Sequence, residues 1–435
     1  MTGAREQMAK TAMKRKFLVG TTAIALTAVA IAGFDTYLTP SWAQSQPSPA
    51  MGAAESSKEL VDEVWQIVER QYIDTTFNGK DWKAVRQQYL NRSYASKEEA
   101  YKAIREMLAQ LGDTFTRFYD PQEFKALQVD TTSGSAGVGL PLIQDQTTKK
   151  LVVITPIEES STFKAGILPG DVLVKINGAS TQGMSTVDAY NRLRGKPGTT
   201  VALTVRRGQQ EQEFRIAREQ VEVRPVRYRS ETTQVGKIGY IRLNQFSAGA
   251  AAEMRTAIKD LEGQKVGGYI LDLRTNPGGL LFSIIEIARM WLQEGTIVST
   301  FNRQGELDRE IANGRALTDK PLIILVNEGT ASGSEILSGA LQDNQRAILV
   351  GTKTVGYNSI QSVRGLEDGS GLAVTIAKWR TPKERDIGQS GIAPDIVVNL
   401  TPAQQQAMIR SRSAGTMADP QYAKAVERLT SLIKK

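Results

Sequence analysis

The chain has 435 residues, by length enough for about three domains, and 40% hydrophobic residues with ordinary glycine and proline usage mark globular, core-forming sequence. It contains neither cysteine nor histidine, which excludes disulfides, thiolate or imidazole metal sites and every Ser-His-Asp or Cys-His centre. Of the formal charge of +8, part is N-terminal, with five basic against two acidic residues in the first 43; the rest is interspersed as on a solvated surface, so no nucleic-acid partner is expected.

Lys14, Arg15 and Lys16 precede "FLVGTTAIALTAVAIAGF", an uncharged run over residues 17–34, and small residues Ser41 and Ala43 follow in "SWA". That order is the three-part secretory signal, with cleavage expected after Ala43. Residues 1–43 also read, in the alternative, as an uncleaved membrane anchor, because the run is long for a cleaved signal. Either reading puts the remainder outside the cytoplasm, in a periplasm or a thylakoid lumen. "QSQPSPAMGAAESS", residues 44–57, reads as a polar linker. Over 58–132, Leu60, Val61, Val64, Ile67 and Val68 recur at helical spacing, as do Tyr101, Ile104, Met107, Leu108 and Leu111. These stripes predict a small helical packing domain without chemistry of its own.

At "TTSGSAGVGLPL" the character changes, but neither GxGxxG nor GxxxxGK[ST] is present, so a nucleotide site is not expected. "LVVITPI" alternates as a strand, and Pro169, Gly170 and Asp171 form a turn before an alternating strand over 172–176. Ser185 and Asp188 make a capping box for a short helix, and "TTVALTVRR" is another strand. With "KAGILPGDVLVKING" in its middle, the segment 133–219 resembles a PDZ domain of the bacterial protease type. The resemblance implies that the loop Gly137, Val138, Gly139 and Leu140 receives the terminal carboxylate of a peptide, while the adjoining strand edge pairs with its backbone. A module that only packs and regulates is the alternative.

Over 220–400 strands alternate with helix patterns at 281–292 and 332–342, and the strands are continuous apolar runs, as in a buried parallel sheet. This predicts an α/β core. Residues 276–279, "NPGG", end one strand in a turn whose glycines allow a close backbone approach. Residues 401–435 read as a C-terminal tail with a short helix from about Pro420.

Without histidine, a hydrolase here needs Ser or Thr as nucleophile with Lys, Tyr, a carboxylate or an amine as base. Ser332 in "NEGTASGSEI" sits between a strand pattern and a helix pattern, which suits either a helix N-cap or a nucleophile at a strand-to-helix turn. At that helix start it would feel the positive dipole end, and the amide of Gly333 could meet an oxyanion. "LGDTFTRFYDPQEF", the PDZ segment, "LDLRTNPGG", "NEGTASGSEILSGALQDNQRA", "GTKTVG" and "GIAPD" follow in the order found in the carboxyl-terminal processing serine peptidases, which the chain resembles over 58–400. That group includes bacterial tail-specific proteases and the enzymes that trim the photosystem II reaction-centre precursor. The resemblance implies an α/β multi-domain protein: a ClpP/crotonase-like α/β peptidase core, an inserted PDZ domain and an N-terminal helical domain. By position it makes Ser332 the nucleophile, Gly278 a second oxyanion donor beside Gly333, and Glu335 a supporting acid. No cofactor or metal is implied, and the partners are polypeptide C-termini.

One position departs. The family places a lysine 25 residues after the serine and a glutamine four further on; this chain has Tyr357 and Gln361 there, with Asn358 and Glu384 at two family glycines. Free lysine and tyrosine side chains both ionise near pH 10, but desolvation lowers a lysine pKa and raises a tyrosine one, so the pocket that serves lysine disfavours tyrosinate. Lys353 or Lys378 could supply a compensating cation, and Lys353 could act directly only if its loop folds back over about 13 Å. Three readings follow: an exported serine endopeptidase cleaving near polypeptide C-termini, a pseudoprotease that binds tails without turnover, and a structural scaffold.

Overall fold

The computed structural model describes residues 29–30, 53–132, 136–145, 148–154, 156–157, 159–221 and 224–434. Apart from Val29 and Ala30, the signal or anchor segment lies outside the described residues, as do residues 44–52 of the expected linker. The rest of that linker is helical: α1 spans Ala53–Gln71. Among the described residues no helix is long and apolar enough to cross a membrane.

The predicted helical stripes pack on one another. α2 (Trp82–Leu90) and α3 (Lys97–Ala109) are capped by Asp81 and Ser96, and their buried faces join Val61, Val64 and Val68 of α1 around Ile104 and Met107. β1 (Arg117–Tyr119) and α4 (Pro121–Thr132) follow. Phe118 of β1 shares this cluster with Leu372 and Val374, and β1 pairs antiparallel with the strand Gly371–Arg380 of the core. The helical unit is thus bonded directly to the peptidase-like region through a sheet.

β2 (Ala136–Gly137), β3 (Leu142–Gln144), β4 (Leu151–Val153), α5 (Ser161–Ala165), β5 (Val172–Ile176), β6 (Ala179–Ser180), α6 (Thr186–Leu193), β7 (Thr200–Arg207), β8 (Gln210–Ala217) and β9 (Glu219–Gln220) form the next unit. β3, β4, β5, β7 and β8 make an antiparallel sheet in that order, and β2 pairs with β9. Alternating strand residues close a core of Leu142, Leu151, Leu173, Ile176, Val201 and Leu203. The predicted cap is present, with Ser185 Oγ accepting from Asp188 N at 3.1 Å.

The core domain comprises β10 (Val226–Thr233), β11 (Gly236–Leu243), α7 (Ala250–Gly263), β12 (Tyr269–Asp272), α8 (Leu281–Trp291), β13 (Thr296–Asn302), β14 (Gly305–Ile311), β15 (Leu322–Val326), α9 (Gly333–Asp343), β16 (Ile348–Gly351), β17 (Ser359–Gly365), β18 (Gly371–Arg380) and β19 (Ile396–Val397). β11, β12, β15, β16 and β19 are parallel neighbours, with β10 antiparallel on the β11 edge. β12 and β15 are wholly buried, which explains their unbroken apolar runs. Helices α7, α8 and α9 cover one face. A second sheet runs Val29–Ala30, β17, β18, β13, β14, antiparallel except where Val29–Ala30 lies parallel beside Gln361 and Ser362.

The C-terminal segment corrects the expectation of a tail. After α10 (Pro402–Ser411), α11 (Pro420–Ile433) covers the other face of the parallel sheet, where Tyr422, Ala425 and Leu429 pack on Tyr240, Ile270 and Ile323. It is also tethered by charge: Arg274 Nη1 lies 2.7 Å from Asp419 Oδ2, and its Nη2 lies 2.6 Å from Asp272 Oδ2. Burial alone would raise the Asp272 carboxyl, but the guanidiniums of Arg274 and Arg242 outweigh it and hold it at about 2. A carboxyl lowered by folding adds stability above its ordinary pKa, which disappears as pH falls from about 4 toward about 2. We expect Arg274→Ala to remove the guanidinium shared by two buried carboxylates and cost about 3–5 kcal/mol, read from denaturant unfolding at neutral pH.

Candidate active site

Ser332 occupies the turn between β15 and α9, with φ 51° and ψ −111°. A β-carbon makes this backbone region costly, of order 1–3 kcal/mol, so the surroundings must impose it. They do so through Glu335. Its Oε2 accepts from Ser332 N at 2.8 Å and Tyr357 N at 2.9 Å; its Oε1 accepts from Thr354 Oγ1 at 2.5 Å and Gly356 N at 2.7 Å. Thr354 is held in turn, because its hydroxyl oxygen accepts from Ile392 N at 2.7 Å. Burial pushes the Glu335 carboxyl upward, while the donors on Thr354, Tyr357, Gly356 and Ser332 pull the other way. Glu335 is fully buried. Glu335 thus lies inside the structure as the clamp joining the serine turn to the 354–357 segment.

The glycine turn comes to the same place. Asn276 stitches it to the serine turn, its carbonyl accepting from Ala331 N and Ser334 Oγ, both at 3.0 Å. A β-carbon on Gly333 would stand 3.3 Å from Gly278 Cα, so the two turns nearly touch. Gly278 N donates to Asn276 Oδ1 at 2.9 Å. Ser332 itself is wholly buried, so this is a closed form of the centre. A hollow between residues 292–295 and 344–346 lies at the opposite end of α9.

Tyr357 is half-buried, with its ring edge-on to Phe115 at 5.2 Å between centroids. Gln361 is buried on β17, where Nε2 donates to Thr375 Oγ1 at 3.3 Å and Oε1 has no partner among the described residues. Lys353 and Lys378, the amines considered from sequence, are both exposed. Asn358 donates from Nδ2 to Asp386 Oδ1 at 2.8 Å, and Glu384 takes the left-handed conformation with φ 58°.

In the second unit, Gly137, Val138, Gly139 and Leu140 form a buried loop. Thr162 Oγ1 lies 2.9 Å from the carbonyl oxygens of both Val138 and Gly139, and a β-carbon at Gly139 would sit 2.4 Å from Ser160 Cβ, so only glycine fits there. Ile154 N donates to Pro141 O, and Asp145 N to Lys150 O, so Leu142 turns its own backbone groups away from β4, toward α6. There the Tyr190 hydroxyl accepts from Leu142 N at 2.8 Å and reaches back to Leu142 O at 3.4 Å. Sequence reasoning missed Tyr190 and the partners of Gln361; Tyr190 has no local signal beyond its place in a helical pattern.

With this geometry established, comparison with known proteins defines a class, a serine peptidase with a PDZ domain. Matches run in chain order: the Tricorn protease C1 domain over 54–109, a PDZ domain over 134–217 and Peptidase family S41 over 237–398. The carboxyl-terminal-processing protease of Synechocystis sp. is 45% identical over 386 residues, 88% of this chain and 89% of its own length. The chloroplastic carboxyl-terminal-processing peptidase 2 of Arabidopsis thaliana is 42% identical over 359 residues, covering 80% of this chain and 70% of its own. Among solved structures, the photosystem II D1 C-terminal processing protease matches with a TM-score of 0.64 at 35% identity, over 84% of this chain and 99% of that one. The chain belongs to peptidase family S41, with the carboxyl-terminal-processing serine peptidases.

The Ser332 backbone gives a direct test of imposed strain. Ser332→Gly should raise the unfolding free energy by about 1 kcal/mol relative to Ser332→Ala, since alanine keeps the β-carbon and glycine does not. Equal denaturant midpoints for the two variants would contradict it.

Proposed function

We propose that the protein is an exported serine endopeptidase that captures the C-terminal tail of a polypeptide and cuts near it through an acyl-enzyme on Ser332. The observation that carries this reading is the serine turn itself: a strained residue at a helix N-terminus, clamped by Glu335 and set against the glycine turn. Attack by Ser332 Oγ on a carbonyl would build negative charge beside the glycine turn, where the amides of Gly333 and Gly278 would have to serve as donors. The Gly278 amide serves only once its bond to Asn276 opens, and the burial of Ser332 likewise requires opening, so tail binding and activation are coupled in this reading. Tyr357 takes the lysine position, and the phenol must lose its proton to act as base. The relatives include chloroplastic enzymes, which favours a lumenal or periplasmic location, with residues 1–43 cleaved or kept as an anchor.

The second reading, a pseudoprotease that binds tails without cutting them, is favoured by the same Tyr357 and by the exposure of both nearby lysines. A peptide ending in an apolar residue with a free carboxylate separates the two. We expect slow turnover, abolished in Ser332→Ala and in Tyr357→Phe, and at least about tenfold faster in Tyr357→Lys. A silent parent that Tyr357→Lys awakens identifies the pseudoprotease; turnover that survives Ser332→Ala contradicts the serine assignment.

The groove makes its own prediction. A peptide strand added at Leu142 must displace the Tyr190 hydroxyl. Tyr190→Phe should therefore bind the peptide about three- to tenfold more tightly, by fluorescence anisotropy, if that hydrogen bond has an ordinary net strength.

A further inference from the structure

The motif "LGDTFTRFYDPQEF" serves above only as a family marker, yet the structure carries its first turn into the Ser332 centre. Asp113 begins that turn: its Oδ1 accepts from Phe115 N at 2.9 Å, while its Oδ2 accepts from Thr116 Oγ1 at 2.7 Å and from Thr375 Oγ1 at 2.6 Å. Thr116 Oγ1 also accepts from Thr375 N at 3.0 Å, and Thr375 O accepts from Ile73 N at 2.9 Å. Thr375 lies opposite Gln361 in the β17–β18 pairing, where a register shift between Ile360 and Gln361 re-aims the glutamine side chain.

Proton counting fixes what this arrangement does. Each threonine hydroxyl has one proton, and the Asp113 carboxylate attracts both. Thr375 Oγ1 is left with lone pairs only, so the group of Gln361 that meets it at 3.3 Å must be the NH2. Oε1 is then the end left without a partner among the described residues, on a residue only 1% exposed. A buried acceptor without a donor is unfavourable, and it is held that way by a charged residue from the N-terminal unit. From the same turn, Phe115 places its ring edge-on against Tyr357.

We propose that the turn over residues 112–116 is the positioning element of the Ser332 centre: Asp113, acting through Thr375, fixes the Gln361 amide so that Oε1 is the acceptor offered to a donor during the reaction, and Phe115 fixes the ring of Tyr357. Asp113, Thr375 and Phe115 are positioning residues, since none of them contacts substrate in this account. The N-terminal unit thereby acquires a role beyond packing. The inference rests on the peptidase reading for its kinetic consequence, but not for its geometry.

The test uses the full chain and the isosteric pair Thr375→Val and Thr375→Ser, with Asp113→Asn as a second route to the same loss. The first readout is the Gln361 side-chain amide signal in nitrogen-15 NMR, assigned by its disappearance in Gln361→Glu. We expect its shift and its hydrogen-exchange protection to be kept in Thr375→Ser and altered in both Thr375→Val and Asp113→Asn. The second readout is turnover of the free-carboxylate peptide, with kcat about ten- to hundredfold lower in Thr375→Val and Asp113→Asn, KM within about twofold, and rescue by serine. An amide signal that is the same in Thr375→Val as in the parent overturns the inference, whatever the activity. An altered amide in a protein whose parent has no turnover supports the positioning geometry while the peptidase reading fails. If the amide changes but kcat does not, the inference is likewise overturned as a statement about catalysis.

Discussion

The Glu335 carboxylate is the interaction on which the centre depends. Four donors from two separated segments converge on its two oxygens, in surroundings where an unmade hydrogen bond is costly. Because one donor is the amide of Ser332 and another is that of Tyr357, the carboxylate sets the distance between the Ser332 turn and the segment before β17 that carries Tyr357. It also restrains the Ser332 backbone in a conformation serine does not otherwise choose. Removing that one group would release the turn, the 354–357 segment and the start of α9 together.

On the proposed reading, the proton chemistry of this scaffold is set by a phenol at the position where the family resemblance implies a lysine. On that reading the strained serine turn and its Glu335 clamp serve a phenol in place of the lysine, and the acceptor of Gln361 favours a partner that has a proton to donate. Its closed state, with Ser332 covered and the Gly278 amide engaged by Asn276, is compatible with a protein that is idle until a tail arrives. In the PDZ unit, Tyr190 occupies the backbone groups of Leu142 that an added strand would use on the proposed reading.

Most of the fold was legible because local signals agreed with packing. The run of buried strands, the capping box at Ser185 and the helix over 332–342 each follow from periodicity and end chemistry, and the structure has β12 and β15, the Ser185 cap and α9 in those places. The role of α11 was not legible: its burial is decided by Arg274 meeting Asp419, 145 positions along the chain, and by an apolar face that is ambiguous until a sheet lies beneath it. The four bonds to Glu335 were hidden for the same reason, three of them crossing from one segment to another. Glu384 shows the limit from the other direction. Its departure from a family glycine was visible in the sequence, and the left-handed backbone there gives the physical reason a glycine suits that turn.

The account stands most directly on the reactivity of one hydroxyl. Intact protein mixed with a fluorophosphonate in the presence of a free-carboxylate peptide, then digested and mapped by mass spectrometry, should carry a single adduct on Ser332, with labelling faster than without the peptide. An unmodified Ser332 under these conditions, or an adduct confined to another residue, would contradict the claim that this buried, strained serine is a nucleophile awaiting a polypeptide tail.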